Sequence, residues 1–320
     1  MATFIKQISE INAVSGNEGN IREFILDHIH ADNIEVDNMG NIIALKKGKN
    51  SSKKIMVATH MYESGFIVSN VTDSGYIKFK PVGNIDINTV ISKKVNIGNT
   101  KGVIGMKAIH LQTKEERENT VPAKNLFIDI GAKSKKDALE SVKMGDYICL
   151  DTEFKETKEY AFGKALSRLG IDVLISSMDI SADCDIYYVF TVQKEVGMRG
   201  AKILARKYDV DTIITVDTVC ADDVFNNDSK TISLGEGIVI PAMDKYSIYD
   251  SELIKKLEKV KHQKAVTKNE FSDAGAFSAK RVNISIPCRY AKTPVEMIAK
   301  SDLETAKAAI KELISDISGE

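Results

Sequence analysis

The stretch DIYYVFTVQKEVGMRGAKILARKY, residues 185–208, changes period in its middle. Seven of its first nine residues, Ile186 to Val192, are β-branched or aromatic, a buried-strand composition, and RGAKILARKY then carries apolar residues at helical spacing. Strand, glycine-bearing turn and helix in that order predict one unit of an α/β sheet, with Gln193, Lys194 and Glu195 delivered to the strand's carboxyl end. Gly197 and Gly200 belong to the turn and its close packing.

The same alternation extends outward. IEVDNMGNIIALKKG (34–48) reads as a hairpin around Asn38–Gly40, KKIMVATH (53–60) as an apolar strand ending at His60, and DTIITVDTV (211–219) and VNISIPCRY (282–290) as further strands. Helices are predicted over 18–31, within GKALSRLGIDVLISSM (163–178), near 250–262, and from Asp302 onward. Between them the texture differs. YIKFKPVG, NLFIDIGA and GDYICLD are short alternating runs separated by Gly, Asn and Asp, the pattern of a small all-β module. The expected fold is therefore a central mixed sheet flanked by helices, built from residues 1–66 and 160–320, with a barrel-like β domain inserted at 67–159.

Forty-four basic against 45 acidic residues give a formal charge of −1, so no global field points to nucleic acid or an anionic membrane. No apolar run approaches the roughly 20 residues a bilayer span needs, and MATFIKQISEI lacks a signal-peptide pattern; a cytoplasmic location is expected. Cys149, Cys184, Cys220 and Cys288 have no CxxC spacing and read as reduced thiols. His28 and His30 fall on the first helix, His110 at the end of a β-module strand, and His262 in a basic helix. The run KHQKAVTKNE (261–270) reads as a solvated face.

Ligands of open α/β sheets bind beyond the carboxyl ends of the strands. The polar residues there are His60, Glu195, Asp217, Arg289, Tyr290 and Lys292. One histidine and two carboxylates so placed are three candidate ligands for a hard or borderline metal, although on spacing alone strand-end carboxylates are more often caps and turn formers.

At these positions the chain resembles the co-catalytic metallo-aminopeptidases of the tetrahedral (TET), glutamyl and deblocking aminopeptidase family. AVSGNEGNIREFI, DNMGNIIALKKG, ATHMYESGF, IDIGAKSKKDA, GKALSRLG, FTVQKEVGMRGA, ITVDTVCADD, SDAGAF and PCRYAKTPVEM follow the family's order nearly end to end. The resemblance implies the same interrupted α/β fold, release of N-terminal residues from peptides, assembly from dimers up to dodecamers, and two divalent ions, zinc or cobalt, held by five ligands beside a glutamate base.

Carried over residue by residue, it matches His60, Glu195 and Asp217 to three metal ligands. Tyr62 stands where the family has the aspartate that orients the first histidine, Ser167 where it has the bridging aspartate, Lys194 at the general-base glutamate, and Lys292 at the last histidine ligand. Asp172, several residues further along in the predicted helix, would need an unusual loop path to serve as the bridge. A protonated lysine cannot accept water's proton, and two ammonium groups would balance Glu195 and Asp217 in place of ions.

The expectation is thus an aminopeptidase homologue with no intact catalytic set and with no metal or one weakly bound zinc or cobalt. It would bind a peptide or small molecule, self-associate, or join a mixed assembly with an active paralogue. Two other readings stay open: an active single-metal peptidase in which Glu63 activates water in a cleft shared with Arg289 and Tyr290, and a different hydrolysis with Lys194 or Lys292 as a neutralised base.

Overall fold

The computed structural model describes residues 3–224 and 230–319, with only the backbone at 50–52. Its centre is an eight-stranded mixed sheet. The strands Asn33–Val36 and Ile42–Lys46 form the predicted hairpin, and Ile42–Lys46 pairs antiparallel with Cys184–Thr191, leaving Asn33–Val36 at the sheet edge. Cys184–Thr191, Asn50–His60, Thr212–Cys220 and Lys280–Cys288 then lie side by side, all parallel. Ile238–Met243 pairs antiparallel with Lys280–Cys288 and parallel with the edge strand His262–Val266.

Parallel strands buried on both faces need helices above and below. Gly170–Ser177 and Lys300–Ser318 cover one face through Leu174, Ile310 and Leu313 against Val57, Val216 and Ile284. Arg199–Lys207 covers the other, with Ala201 and Leu204 on Met56, Ala58 and Ile213. Six strands between Gly65 and Leu150 close into the inserted barrel around Phe66, Ile77, Ile104 and Ile148. A three-stranded sheet of Lys155–Glu156, Tyr160–Gly163 and Glu296–Ala299 ties the chain leaving the barrel to its C-terminal part.

Several local expectations are corrected. The first long helix covers only Gly19–Leu26; the His28 Nδ1 meets the Phe24 carbonyl at 2.7 Å, satisfying one of the carbonyls a helix end leaves free. GKALSR is not helical: Ala165 is left-handed, at φ 54°, and Leu166–Arg168 is a single tight turn before the helix begins at Gly170. His262 lies in a strand and not in a basic helix. An edge strand exposes much of both faces, so its polar, lysine-bearing sequence lacks the apolar alternation that marks a strand. The predicted helix near 250–262 accordingly stops at Leu257. His110 sits in the tight turn Ile109–Leu111.

Candidate functional site

Because four neighbouring strands run parallel, their carboxyl ends open on one edge, and each contributes to one enclosure. His60 ends Asn50–His60, Asp217 lies near the end of Thr212–Cys220, and the turns after Thr191 and Cys288 supply Lys194 with Glu195, and Lys292. His60, Tyr62, Ser167, Lys194, Glu195, Asp217 and Lys292 line a single space of about 10 Å³, joined by Glu270 and Phe271. The sequence carried no signal for the last two: Glu270 ends the run read as solvated, and Phe271 follows it directly.

The turns are held by buried acids. Gln193 takes a left-handed φ of 55°, and its N–H donates to Glu18 Oε1 at 2.8 Å, which fixes the direction in which Lys194 leaves the strand. Glu296, fully buried, accepts the Ser167 N–H on one oxygen and the Lys292 N–H on the other, both at 2.8 Å. It thereby locks the Ser167 turn to the Lys292 loop, where Tyr290 and Lys292 are also left-handed. Burial lifts the Glu296 carboxyl to about 6 despite these backbone donors.

Asp217 is the electrostatic centre. Its Oδ2 receives the Lys194 ammonium and its Oδ1 lies 3.2 Å from His60 Nε2. Burial alone would raise this carboxyl, but Lys194 and then His60 hold it well below the usual range. Burial would likewise lower Lys194, and Asp217 followed by Asp273 keep its ammonium above the ordinary value. The ammonium also sits 5.3 Å from the Phe271 ring centre, a favourable cation–π position.

Burial and then the neighbouring Lys194 push His60 downward, against the pull of Asp217. A neutral ring meets the Asp217 carboxylate only by donating from Nε2–H, which leaves Nδ1 as a bare acceptor; Nδ1 is buried and has no hydrogen-bond partner among the described residues. The Tyr62 hydroxyl, with its ring 4.4 Å from the imidazole, donates instead to Glu195 Oε1. Burial, and then the Glu195 charge, keep that phenol protonated.

Glu195 is satisfied on both oxygens. Oε1 takes Tyr62 and has the Lys292 ammonium at 3.8 Å, and Oε2 accepts the Asn84 N–H at 3.0 Å from the barrel. Burial would raise this carboxyl, and Lys292, Tyr62 and Asn84 together hold it below its ordinary value. Lys292 also lies 3.7 Å from Glu270, so it bridges two carboxylates at the rim. Asp273 is a further buried acid that the motif SDAGAF contains but sequence reasoning gave no role. Thr191 donates to its Oδ2 at 2.5 Å, and burial raises it against the pull of Lys194.

Four residues that sequence reasoning considered for this site lie elsewhere. Glu63 does not face this enclosure: one oxygen takes the Ala13 N–H at 2.6 Å and the other meets Lys164 at 2.9 Å, inside the protein. Arg289 grips Asp223 with two bonds of 2.6 Å, and Tyr290 is half exposed; neither lines the enclosure. Asp172 is engaged by Lys307 of the terminal helix at 2.8 Å.

A metal-ligating imidazole must aim a lone pair at the ion, and a bridging carboxylate must have an oxygen free for each metal. Here both Asp217 oxygens are engaged, one by Lys194 and one by His60 Nε2, and the Lys292 ammonium stands 3.8 Å from Glu195 Oε1. Among the described residues, no group of three His, Cys, Asp or Glu is arranged to hold a metal ion. As arranged, these side chains do not fit a two-metal centre.

Comparison with known proteins gives a consistent kinship. A model of the M42 glutamyl aminopeptidase family matches residues 40–308. The lysyl aminopeptidase of Pyrococcus furiosus is 28% identical over 340 residues, covering 97% of this chain and 96% of its own. An aminopeptidase structure from Desulfurococcus kamchatkensis superposes with a TM-score of 0.91 at 28% identity, covering 98% of this chain and 93% of its own. The Pyrococcus horikoshii TET1 peptidase, described as assembling into a tetrahedron or a large octahedral shell, gives 0.87 at 32% identity over 98% of both chains.

Proposed function

The chain belongs to the M42 glutamyl aminopeptidase family, and we propose that it is a member that keeps the family's peptide cleft but is catalytically impaired as a two-metal peptidase. The observation that carries this reading is the Lys194 ammonium on Asp217, at the position where the family resemblance calls for a general-base glutamate. An ammonium has no lone pair with which to take a proton from water, and next to a retained ligand it repels a divalent ion. Lys292 repeats the substitution at Glu195. His60, Glu195 and Asp217 are the residual ligand set, sufficient in our reading for at most one weakly held zinc or cobalt.

The alternatives have less support. Glu63 is turned to the Ala13 N–H and the Lys164 ammonium and does not line the enclosure, so it is poorly placed to activate water. A lysine base needs a depressed pKa, whereas Lys194 is raised by Asp217 and Asp273. The likeness to a shell-forming peptidase supports self-association, and a role within a mixed assembly alongside an active paralogue fits a subunit that binds without turning over. We place the protein in the cytoplasm.

The test is the metal content of protein purified without chelator and then dialysed against zinc or cobalt. Substoichiometric metal is expected. Two tightly held ions per chain would overturn the proposal.

A further inference from the structure

Thr212–Cys220 and Lys280–Cys288 are parallel neighbours that end together, and their last residues, Cys220 and Cys288, are register partners. Ile214 and Val216 on one strand and Ile284, Ile286 and Cys288 on the other pack into the same core, and strict alternation puts Cys220 on that face too. The two thiols therefore stand side by side. Cys149 pairs in its ladders with Gly65 and Asn96, and Cys184 with Asn50, so neither faces a thiol in this way.

Neighbouring strands lie about 4.8 Å apart, within the roughly 4.4–6.8 Å that a disulfide spans between Cα atoms, whereas its Cβ atoms prefer about 3.8 Å. Closing a bond here must draw the two strand ends together by about 1 Å, and a cross-link strained in this way is readily reduced. Access differs between the two sulfurs. Cys220 is exposed and Cys288 fully buried, so an oxidant meets Cys220 first. Burial holds both thiols above their ordinary value, which makes the pair slow to react and responsive to sustained oxidant. Beyond the pair lies the loop that carries Lys292. The Ala291 N–H is directed at the Cys220 sulfur, and the next residue, left-handed Lys292, holds its ammonium between Glu195 and Glu270.

We infer that Cys220 and Cys288 form a reversible disulfide within the chain, and that forming it turns the Cys220 sulfur away from the Ala291 amide and loosens the Lys292 loop. The oxidant is hydrogen peroxide. The Cys220 thiolate attacks it, an S–O bond forms as the O–O bond breaks, and the departing hydroxide takes up the thiol's proton as water. The Cys288 sulfur then attacks the Cys220 sulfenic acid; the S–S bond forms, the S–O bond breaks, and hydroxide leaves with the Cys288 proton as a second water. Both thiols are oxidised and one peroxide is reduced.

Treating the reduced full-length protein with hydrogen peroxide, at low protein concentration, tests this. Free thiols counted after denaturation should fall from the four of the sequence to half that number, and peptide mapping should join Cys220 to Cys288. Dithiothreitol should restore all of them. Hydrogen exchange at the Ala291 amide should become about fivefold faster in the oxidised protein, the worth of one hydrogen bond. The variant Cys220→Ser, changed at an exposed position, should keep its remaining thiols under the same treatment. Undiminished thiols in the parent would overturn the inference, as would a cross-link between chains or between other cysteines, or a Cys220 sulfinic acid in place of the bond. A bond that dithiothreitol leaves intact, or Ala291 exchange unchanged by oxidation, would overturn it as well. None of these measurements reads turnover or metal, so their outcome is separate from that of the impaired-catalyst reading.

Discussion

The Lys194 ammonium rests on Asp217 with both groups buried, their side chains 5% and 11% exposed. Taking two charges out of water costs several kcal/mol per ion, and the pair repays it only while both members are present. Lys194→Met should therefore destabilise the fold by about 3–5 kcal/mol, since it strands a buried carboxylate. Combining it with Asp217→Leu should restore most of that loss. Urea melts of the two variants check this; a single variant within about 0.5 kcal/mol of the parent would mean that the ammonium does not balance the site.

The same pair sets a pH dependence. Asp217 is held below its ordinary 3.8, so its stabilisation is complete above that value and is lost as pH falls through its lower folded pKa. Lys194 is held above its ordinary 10.5, so its share is present below that value and lost as pH rises further. The stability gap between parent and Asp217→Asn should be flat through neutrality and should narrow only on the acid side of 3.8. Denaturant midpoints from pH 3 upward, taken as order-of-magnitude steps, read it directly.

Glu296 works in the opposite sense. Its folded pKa of about 6 lies above the ordinary 4.5, so the folded state holds the extra proton and stability is lost as pH rises through that window. A shift of that size corresponds to about 2 kcal/mol. Glu296→Gln removes the titration, and its stability relative to the parent should rise between those two pH values even if the amide bonds the Ser167 and Lys292 N–H groups less well. A parallel course for the two proteins across the window would contradict this assignment.

The barrel reaches the site through Gly83. Its φ is +83°, and a Cβ there would lie 2.5 Å from Glu195 Oε2 and 2.7 Å from Glu195 Cβ. Gly83→Ala should cost about 1–3 kcal/mol in strain and should push Glu195 off the Asn84 N–H. Thermal melts, together with hydrogen exchange at the Asn84 amide, report both effects. An unchanged melt with full Asn84 protection would show that the barrel loop does not brace Glu195.

The convergence of His60, Glu195, Asp217 and Lys292 was legible because each sits at or just beyond the carboxyl end of an apolar run, and parallel neighbours bring those ends together; Tyr62, Ser167 and Lys194 were given site roles only through the family resemblance, and Arg289 and Tyr290, at the same strand end, face elsewhere. Glu63 was misplaced because its orientation is decided by Lys164, a hundred residues away in sequence, and by the Ala13 N–H. Glu270 and Phe271 were missed because they follow an edge strand whose lysine-rich, half-exposed sequence resembles a solvated helix. Asp273 stood inside a quoted motif, but only the fold sets it against Thr191 and Lys194. The Glu296 clamp between the Ser167 turn and the Lys292 loop has no sequence signature either, because it depends on two left-handed turns meeting across the sheet edge.

The central claim is that built-in ammonium groups have displaced the two-metal peptidase chemistry, and turnover tests it most directly. Release of the amino-terminal residue should be followed across a panel of aminoacyl substrates, including glutamyl, lysyl and leucyl, with added zinc, cobalt or manganese. The account predicts no metal-dependent turnover above the uncatalysed background, in a protein that remains folded. Turnover that rises with metal and saturates at stoichiometric ion would contradict it.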